Sequence, residues 1–241
     1  IMFTSNFIKR NSAFTLAEVL ITLGIIGVVA ALTIPSLINN YKAKRLHTQF
    51  LKSYSVLQQA FKMMENDDIT IEPRKYGSPE NNPEFFYKTF MNYLQAPIDC
   101  GTTDYGNSNS LPCFPFRHND DDKKTAYKSY DGKSLVSVYW LDDGEIALQD
   151  GTLLLFENYD RIWISVDLNG YNNPPNRLGY DLFTFQFIDG ELKTMGDRDT
   201  DYTDMNKYCN PKITNSLNGI TCAQKAKEDT DYFKKLVNEF K

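Results

Sequence analysis

The chain falls into three stretches with different patterns of hydrophobic and polar residues. Residues 13–38 form an almost unbroken apolar run that contains one charged residue, Glu18. From about Leu46 to Met64, apolar residues recur every three or four positions, which predicts an amphipathic helix with one face on a core. From about residue 135, short apolar and β-branched runs alternate with Asp-Gly and Asn-Gly turns, a pattern that predicts antiparallel strands.

The first two stretches predict one long helix, from Phe14 to about Asp67. Its apolar part is long enough to cross a membrane, because about 20 helical residues span the hydrocarbon core. The run also exceeds the apolar stretch of a secretory signal peptide, about 7–15 residues, so we expect it to stay in the protein. Pro35 should kink the helix or loosen one turn, since proline removes an amide donor and clashes with the preceding turn.

The remaining pattern predicts a single domain that combines strands and short helices. Residues 68–83 contain proline and glycine and predict a loop, and residues 83–97 predict a short helix. The apolar residues between Tyr232 and Phe240 have helical spacing, and we expect this tail to pack on its own domain, with docking to a partner as the alternative. Strands are predicted at residues 134–141, 146–149, 153–157, 161–168 and 181–187.

Charge and motifs narrow the classes of function. A net charge of -5 and a pI near 5.1 argue against non-specific nucleic-acid binding by the whole domain, because clustered Lys and Arg supply phosphate affinity. The sequence contains no GxSxG, P-loop, HExxH or dinucleotide-binding turn. Its two histidines, His47 and His118, lie far apart, and the adjacent Asp142 and Asp143 are expected to be solvated in a turn. We therefore expect a protein that is not an enzyme.

Four cysteines fall into two pairs with twelve residues between the members of each pair. An even number of cysteines outside the apolar run suggests disulfides in an oxidising compartment, although the sequence permits three connectivities and reduced cytosolic thiols are the alternative. Neither pair has the CxxC form of a zinc or redox site. The short spacing favours local pairing because closing a short loop is entropically accessible, so Cys100 is expected to pair with Cys113 and Cys209 with Cys222.

The start of the apolar run carries a motif of known type. Two basic residues precede a small residue, and Phe-Thr-Leu-x-Glu then opens the hydrophobic helix. This string resembles the class III signal of type IV pilins and type II secretion pseudopilins, and the resemblance covers about residues 9–60. Alanine stands where that family mostly has glycine before the scissile bond. The residues that carry the resemblance are Lys9, Arg10, Ala13 and Phe14–Glu18, followed by Gly24, Gly27 and Pro35.

The resemblance implies an α+β, pilin-like fold, in which a long N-terminal helix packs on an antiparallel β-meander. Prepilin peptidase would cut between Ala13 and Phe14 and methylate the new amine of Phe14. The implied parts are a leader peptide, 1–13, a transmembrane and filament-core helix, 14–38, and an extracytoplasmic globular domain, 39–241. The chain would cross the inner membrane once, with its N-terminus inside and its domain outside, and would then enter a periplasmic or cell-surface filament.

The implied function is that of a structural subunit of a type II secretion pseudopilus or a type IV pilus-like filament. Its partners would be other pilin or pseudopilin subunits, prepilin peptidase and an inner-membrane assembly platform. Glu18 would pair with the new terminal amine, and a pair made with the next subunit would set the register of assembly. In the alternative, Glu18 reaches the headgroups, and the chain is a membrane-anchored extracytoplasmic binding protein or enzyme that does not polymerise.

The basic residues on either side of the apolar run point to the opposite orientation. Lys9 and Arg10 precede it, whereas Lys42, Lys44 and Arg45 follow it, and cytoplasmic flanks usually carry the excess. The leader motif and the cysteines nevertheless require the long domain to lie outside, and long domains translocate largely regardless of charge. We therefore keep the N-terminus inside.

One loop, within residues 166–185, concentrates side-chain oxygens between glycine and proline turns. Such oxygens are the hard ligands that suit calcium. Some pseudopilins hold calcium in a loop near their final strands, and this loop looks similar, so calcium is the one candidate cofactor and none is assigned with certainty. The alternative is that these side chains only bond the backbone of turns, which needs no ion. The oxygen-bearing residues are Asp167, Asn169, Asn173, Asn176 and Asp181.

Overall fold

The fold belongs to the α+β class, as predicted. The computed structural model describes residues 14–75, 84–102, 112–114 and 127–240 of the 241. In this part of the chain, a long N-terminal helix is followed by six strands that form one antiparallel sheet. The chain divides into two compact units, and the boundary falls between Lys42 and Ala43.

The elements follow one another in a simple order along the chain. A short 3₁₀ helix, Val138–Trp140, lies between the first two strands. The helices are α1 Leu16–Asn66, α2 Glu84–Met91, α3 Met205–Tyr208, α4 Cys222–Glu228 and α5 Tyr232–Glu239. The strands are β1 Ile98–Gly101, β2 Glu145–Ala147, β3 Leu153–Glu157, β4 Ile162–Asp167, β5 Leu182–Ile188 and β6 Glu191–Thr194.

Helix α1 confirms the predicted long helix and continues through Pro35. Before Lys42 its residues are exposed or half-buried, whereas from Ala43 onward buried residues recur at helical spacing. The change matches the sequence, because the first part is apolar on every side and the second part is amphipathic. The buried residues of the second part are Ala43, Leu46, Phe50, Ser53, Leu57, Ala60, Phe61 and Met64.

The sheet is a meander in which each strand pairs with the next strand of the sequence. Its order is β1-β2-β3-β4-β5-β6, and every pair is antiparallel. The last hairpin turns at Asp189 and Gly190, whose φ angles are 53° and 78°. A two-residue turn with both angles positive matches the right-handed twist of the strands, and Asp-Gly is a preferred sequence for it.

The main core lies between one face of the sheet and the second part of α1. The ring of Phe50 lies 5.1 Å from that of Phe183 and 5.8 Å from that of Phe185. Phe233 of α5 closes the same core at 5.8 Å from Phe50. Tyr232, Phe233, Leu236 and Val237 are all buried. The C-terminal tail therefore packs on its own domain, as expected.

The other face of the sheet is covered by loops and short helical segments instead of a long helix. Alternation along β3 sends Leu154 and Phe156 to the main core and Leu153 and Leu155 to a second cluster, as the pleat of a strand requires. Trp163, on β4, belongs to a third cluster with Met195 and Ile220. The sheet is thus buried on both faces, and the second cover includes Cys113, Phe114 and segments from Tyr127 onward.

Two disulfides cross-link the globular unit. Cys100 is bonded to Cys113 with 5.6 Å between their Cα atoms, and Cys209 is bonded to Cys222 with 5.0 Å. This is the local connectivity that the spacing favours. The first disulfide joins β1 to residues 112–114, and the second joins the end of α3 to the start of α4.

The structure corrects several local predictions. The strand predicted at 134–141 is wrong: this segment forms the 3₁₀ helix and packs through Val136 and Leu141. The neighbour of β2 is instead β1, which was not predicted, and the predicted helix of 83–97 ends at Met91. Strand β6 was not predicted either. Residues 76–83, in the predicted loop of 68–83, lie outside the described residues.

Asp143 is a further correction, because it is buried instead of solvated. Only 6% of the residue is exposed. Its carboxylate accepts hydrogen bonds from Arg74 Nη2 at 2.5 Å and from the backbone amide of Asn158 at 2.9 Å. The ion pair holds the segment after α1 against the β3 end of the sheet. These contacts give Asp143 a structural role.

Candidate functional site

The candidate site is the start of helix α1. Thr15 occupies the position just before the helix, and Glu18 is the third helical residue. The amide and the hydroxyl of Thr15 both donate to Glu18 Oε2 at 2.8 Å. In return, the amide of Glu18 donates to Thr15 Oγ1 at 3.2 Å. This reciprocal arrangement is a capping box, which satisfies amides that the first turn of a helix leaves without partners.

The capping box answers how a carboxylate is held at the edge of an apolar helix. Glu18 has donors within its own first turn, and the positive end of the helix dipole lies at the same place. Its second oxygen, Oε1, accepts no hydrogen bond from the residues that the structure describes. That oxygen remains able to accept a cationic donor while Oε2 stays bonded to Thr15.

The helix behind this cap presents apolar side chains on all sides. Among the described residues, α1 is the one helix long and apolar enough to cross a membrane. None of the residues from Leu16 to Lys42 is buried, and large apolar residues such as Leu20 and Leu32 are 61% and 76% exposed. A surface this apolar is stable only in lipid or against other apolar surfaces.

Of the predicted processing residues, the structure describes Phe14 but not Ala13. Phe14 precedes the helix and is 86% exposed. Ala13, Lys9 and Arg10 lie outside the described residues. Phe14, Thr15 and Glu18 therefore share one exposed end of α1, where an enzyme could reach the backbone before the helix begins.

Comparison with known proteins agrees with this geometry. A family profile described as the prokaryotic N-terminal methylation motif matches residues 8–34, which include the whole capping box. No curated protein and no solved structure matches the chain. The motif indicates a type IV pilin-like or pseudopilin-like protein of the kind that prepilin peptidase processes. It also suggests a structural subunit and not an enzyme.

The loop between β4 and β5 is the second region of interest. Asp167 and Asp181 are both fully buried. Asp167 Oδ1 accepts hydrogen bonds from the amides of Asn169, at 3.2 Å, and Gly170, at 2.9 Å. Asp181 accepts from the amides of Asn176, at 2.9 Å, and Arg177, at 2.6 Å. The two carboxylates therefore organise the two ends of one loop.

The amide side chains of the loop play two different parts. Asn169 and Asn173 each donate from their side chain to the backbone carbonyl of the other. The side-chain oxygens of Asn169 and Asn176 are buried, and no donor in the described residues reaches them. Buried oxygens without donors are unusual, because each costs about 1–3 kcal/mol. The loop thus contains side-chain hydrogen bonds to the backbone of the turn, as the alternative without an ion predicts. It also contains two buried side-chain oxygens that accept none of these hydrogen bonds.

The electrostatics of this loop favour a bound cation or a retained proton. Burial and the neighbouring charge of Asp181 raise the pKa of Asp167. Tyr127 donates its hydroxyl to Asp167 Oδ2 at 2.8 Å, and burial and the charge of Asp167 raise the pKa of this tyrosine well above 10.0. The described residues hold no group of three or more His, Cys, Asp or Glu side chains suited to a metal. Any cation here would therefore depend on amide oxygens beside the two carboxylates.

Sequence analysis missed two of these partners. The role of Thr15 could have been found, because a Thr three residues before Glu at the start of an apolar run is the signature of a capping box. Tyr127 could not, since it lies forty residues before Asp167 and nothing in its surroundings marks it as a partner.

Replacement of Thr15 by valine should loosen the first turn of α1. Valine keeps the shape but removes the hydroxyl, and loss of such a cap costs about 1 kcal/mol. We expect the Glu18 amide to exchange its hydrogen several-fold faster in membrane-reconstituted protein, measured by hydrogen exchange. Thr15→Ser keeps the hydroxyl and is the matched control. Equal exchange rates in both variants would show that the hydroxyl does not cap the helix.

Proposed function

We propose that this chain is a subunit of a type II secretion pseudopilus or of a type IV pilus-like filament. Prepilin peptidase removes residues 1–13 and methylates Phe14. Residues 14–38 hold the subunit in the inner membrane and later form the filament core, and residues 39–241 form the domain outside. The observation that carries the proposal is the Thr15–Glu18 capping box, which lies within the matched motif and opens an exposed apolar helix.

The apolar helix supports assembly because it can exchange one apolar environment for another. It fits lipid before assembly and the helices of neighbouring subunits afterwards, so extraction from the membrane need not expose it to water. Glu18 supports a defined register. In a filament core, a terminal amine of a neighbouring subunit would find Oε1 of Glu18 as a partner, and leaving either charge alone there would cost several kcal/mol.

The globular unit supports a location outside the cytoplasm. Both disulfides join cysteines that are buried in the globular unit, and disulfides persist in oxidising compartments. The partners would be further pilin-like subunits, the peptidase and the assembly platform of the inner membrane. A chain that keeps its leader would instead be the anchored, non-polymerising protein of the alternative.

The mass of the mature protein tests the processing step. We expect membrane-extracted protein to begin at Phe14 and to carry one added methyl group on its amine. Intact mass spectrometry and sequencing of the N-terminal peptide measure both. A mature chain that retains residues 1–13, or one cut inside the apolar run, would contradict the proposal. Ala13→Gly, which restores the residue usual in the family, is the matched control and should be processed at least as fully.

Two substitutions of Glu18 separate its charge from its capping role. Glu18→Gln keeps an acceptor for Thr15 and removes the charge, whereas Glu18→Leu removes both. We expect both variants to reach the membrane at normal levels and to be lost from sheared filaments, because the amine of a neighbour loses its charged partner. Incorporation of Glu18→Gln at the wild-type level, with loss of Glu18→Leu alone, would show that Glu18 serves only as a cap.

We further propose that the loop between β4 and β5 binds calcium. Asp167 and Asp181 would supply the carboxylates, and Asn169 and Asn176 would supply the oxygens that lack donors. This set of hard oxygen ligands suits calcium. The side chain of Asn173 is used within the loop, so it contributes to the turn rather than to the ion. A bound cation would favour the charged form of both carboxylates and so remove the electrostatic cost of burying them together.

Calcium should stabilise the domain more strongly as the pH rises. Without the ion, the folded protein keeps a proton on Asp167 that the unfolded chain, with an ordinary pKa of about 3.9, has lost. The stabilisation that protonated Asp167 contributes is therefore fully present below the unfolded-state pKa of about 3.9. It is lost as the pH rises through the raised pKa of Asp167 in the folded state. Calcium binds the deprotonated pair, so the rise in melting temperature over a chelator control should be larger near pH 8 than near pH 5.

Two variants make this measurement specific. Asp167→Asn should abolish the calcium-dependent rise in melting temperature and weaken the pH dependence. Asp150→Asn alters an acidic side chain outside the loop, which pairs with Lys52 at 2.6 Å, and should leave the calcium response intact. If calcium does not change the melting temperature of the wild-type protein at either pH, the calcium proposal is wrong. The filament proposal does not depend on this result.

A further inference from the structure

The charged side chains of the globular unit differ between the two ends of strand β5. The residues just before β5 lie at one end, and the β5–β6 turn at Asp189 and Gly190 lies at the other. Strand β5 has seven residues, so about 20 Å separates its ends at 3.4 Å per residue. We call them the entry end, before Leu182, and the exit end, after Ile188. Charges at the two ends are too far apart to pair within one unit.

Three cations at the entry end form no ion pair within the described part of the chain. The amide of Lys128 donates to the carbonyl of Asn176 at 2.9 Å, which places Lys128 beside the residues before β5. The Arg177 guanidinium lies against Gly132, where an added Cβ would be 2.7 Å from Arg177 Cζ. Lys133 follows Gly132, and both lysines are exposed. The entry-end cations are therefore Lys128, Lys133 and Arg177.

Three carboxylates at the exit end have no Lys or Arg partner among the residues that the structure describes. Asp189 begins the β5–β6 turn, and Asp160 lies just before β4, whose first residue pairs with the end of β5. Asp68 lines the same groove as Gly190. All three carboxylates are exposed, and we call Asp68, Asp160 and Asp189 the exit-end acids.

The turns at the exit end do not require these negative charges. The φ angles of the three residues are 55°, 57° and 53°, and this left-handed region is tolerated by glycine and asparagine as well as by aspartate. Asparagine would therefore serve the backbone equally well. Nearby cations already have carboxylate partners, which are Asp143 for Arg74 at 2.5 Å and Asp199 for Lys193 at 2.7 Å. The exit-end acids thus have charges that the unit itself does not use.

We propose that the exit-end acids of one copy of the chain dock on the entry-end cations of a second copy. This contact rests on the filament proposal, and it names the surfaces through which neighbouring globular units meet. A second copy fits because one chain supplies both complementary sets of charges. The contact uses different surfaces on the two copies, so it does not close on itself and can repeat along a filament. Complementary charges of this kind set partner choice and register more than affinity.

Charge changes at each end of the full-length chain test the contact. Lys128→Glu with Lys133→Glu makes the entry end acidic. Asp160→Asn, Asp189→Asn and Glu191→Lys together make the exit end basic, and asparagine keeps both left-handed turns. We expect the amount of each variant in sheared filaments, relative to its amount in the membrane, to fall several-fold. The chain that carries all five changes has the opposite charge at both ends, so it should recover several-fold over either parent.

A matched control changes the same number of charges elsewhere on the surface. Lys207→Glu with Lys225→Glu alters two exposed lysines of α3 and α4, and this variant should enter filaments at the wild-type level. Circular dichroism and the melting temperature check that every variant folds. The five-change chain is a second check, because a variant that merely folded poorly would not be rescued by further substitutions.

The other outcomes contradict the contact in distinguishable ways. Normal incorporation of both end variants, or equal loss in the control, would overturn it while the assembling wild type keeps the filament proposal standing. Loss in the entry-end variant alone would assign the cations to a different anionic partner, such as a membrane. A five-change chain that does not recover would show that the two ends do not face each other. A wild type absent from filaments would instead reject the filament proposal, and the contact with it.

Discussion

An ionised carboxylate next to hydrocarbon needs hydrogen-bond donors close by. The start of helix α1, which precedes every other element of this structure, depends on how Glu18 obtains them. On the insertion scales, an acidic side chain at the centre of a membrane helix costs about 2.5–3.5 kcal/mol. Glu18 avoids much of this cost because it lies in the first turn, where Thr15 supplies two donors. The cap uses only Oε2 of Glu18. The same residue can therefore cap the helix of its own subunit and still accept a hydrogen bond at Oε1 from a second partner.

Helix α1 has a different kind of surface in each of its two parts. Its first part is apolar on every side and has no buried contact in its own unit, whereas its second part has one buried face and a row of basic residues. The change occurs near Lys42 and Ala43, where the exposed cations begin. One continuous hydrogen-bonded backbone thus joins a segment suited to lipid with a segment suited to a sheet, and no loop interrupts it.

The sequence predicted the features that follow from periodicity and missed those that depend on distant contacts. The bounds of α1 came within two residues because its apolar spacing is regular. Strands β4 and β5 were found because β-branched and aromatic residues dominate them, and β3 because its leucines form a short apolar run between turns. Strand β1 contains Asp99 and Gly101, which seldom mark a strand. Residues 134–141 have strand-like composition, yet Val138–Trp140 forms a 3₁₀ helix, and β1 instead takes the place beside β2. At the candidate sites, local spacing revealed Glu18 and the loop oxygens, whereas Tyr127 meets Asp167 only through the fold.

The consecutive order of the strands has a consequence for how the domain can fold. Every strand pairs with the one before it, so a chain that is delivered across a membrane in sequence order can add each strand to an edge that already exists. No strand has to wait for a distant partner, and such local pairing favours rapid folding. The exception is α5, whose Phe233 contacts Phe50 of α1, a residue far from it in the sequence. Residues of α5 therefore close the core after the strands have paired, and a chain that lacked them would expose the apolar face of α1 around Phe50.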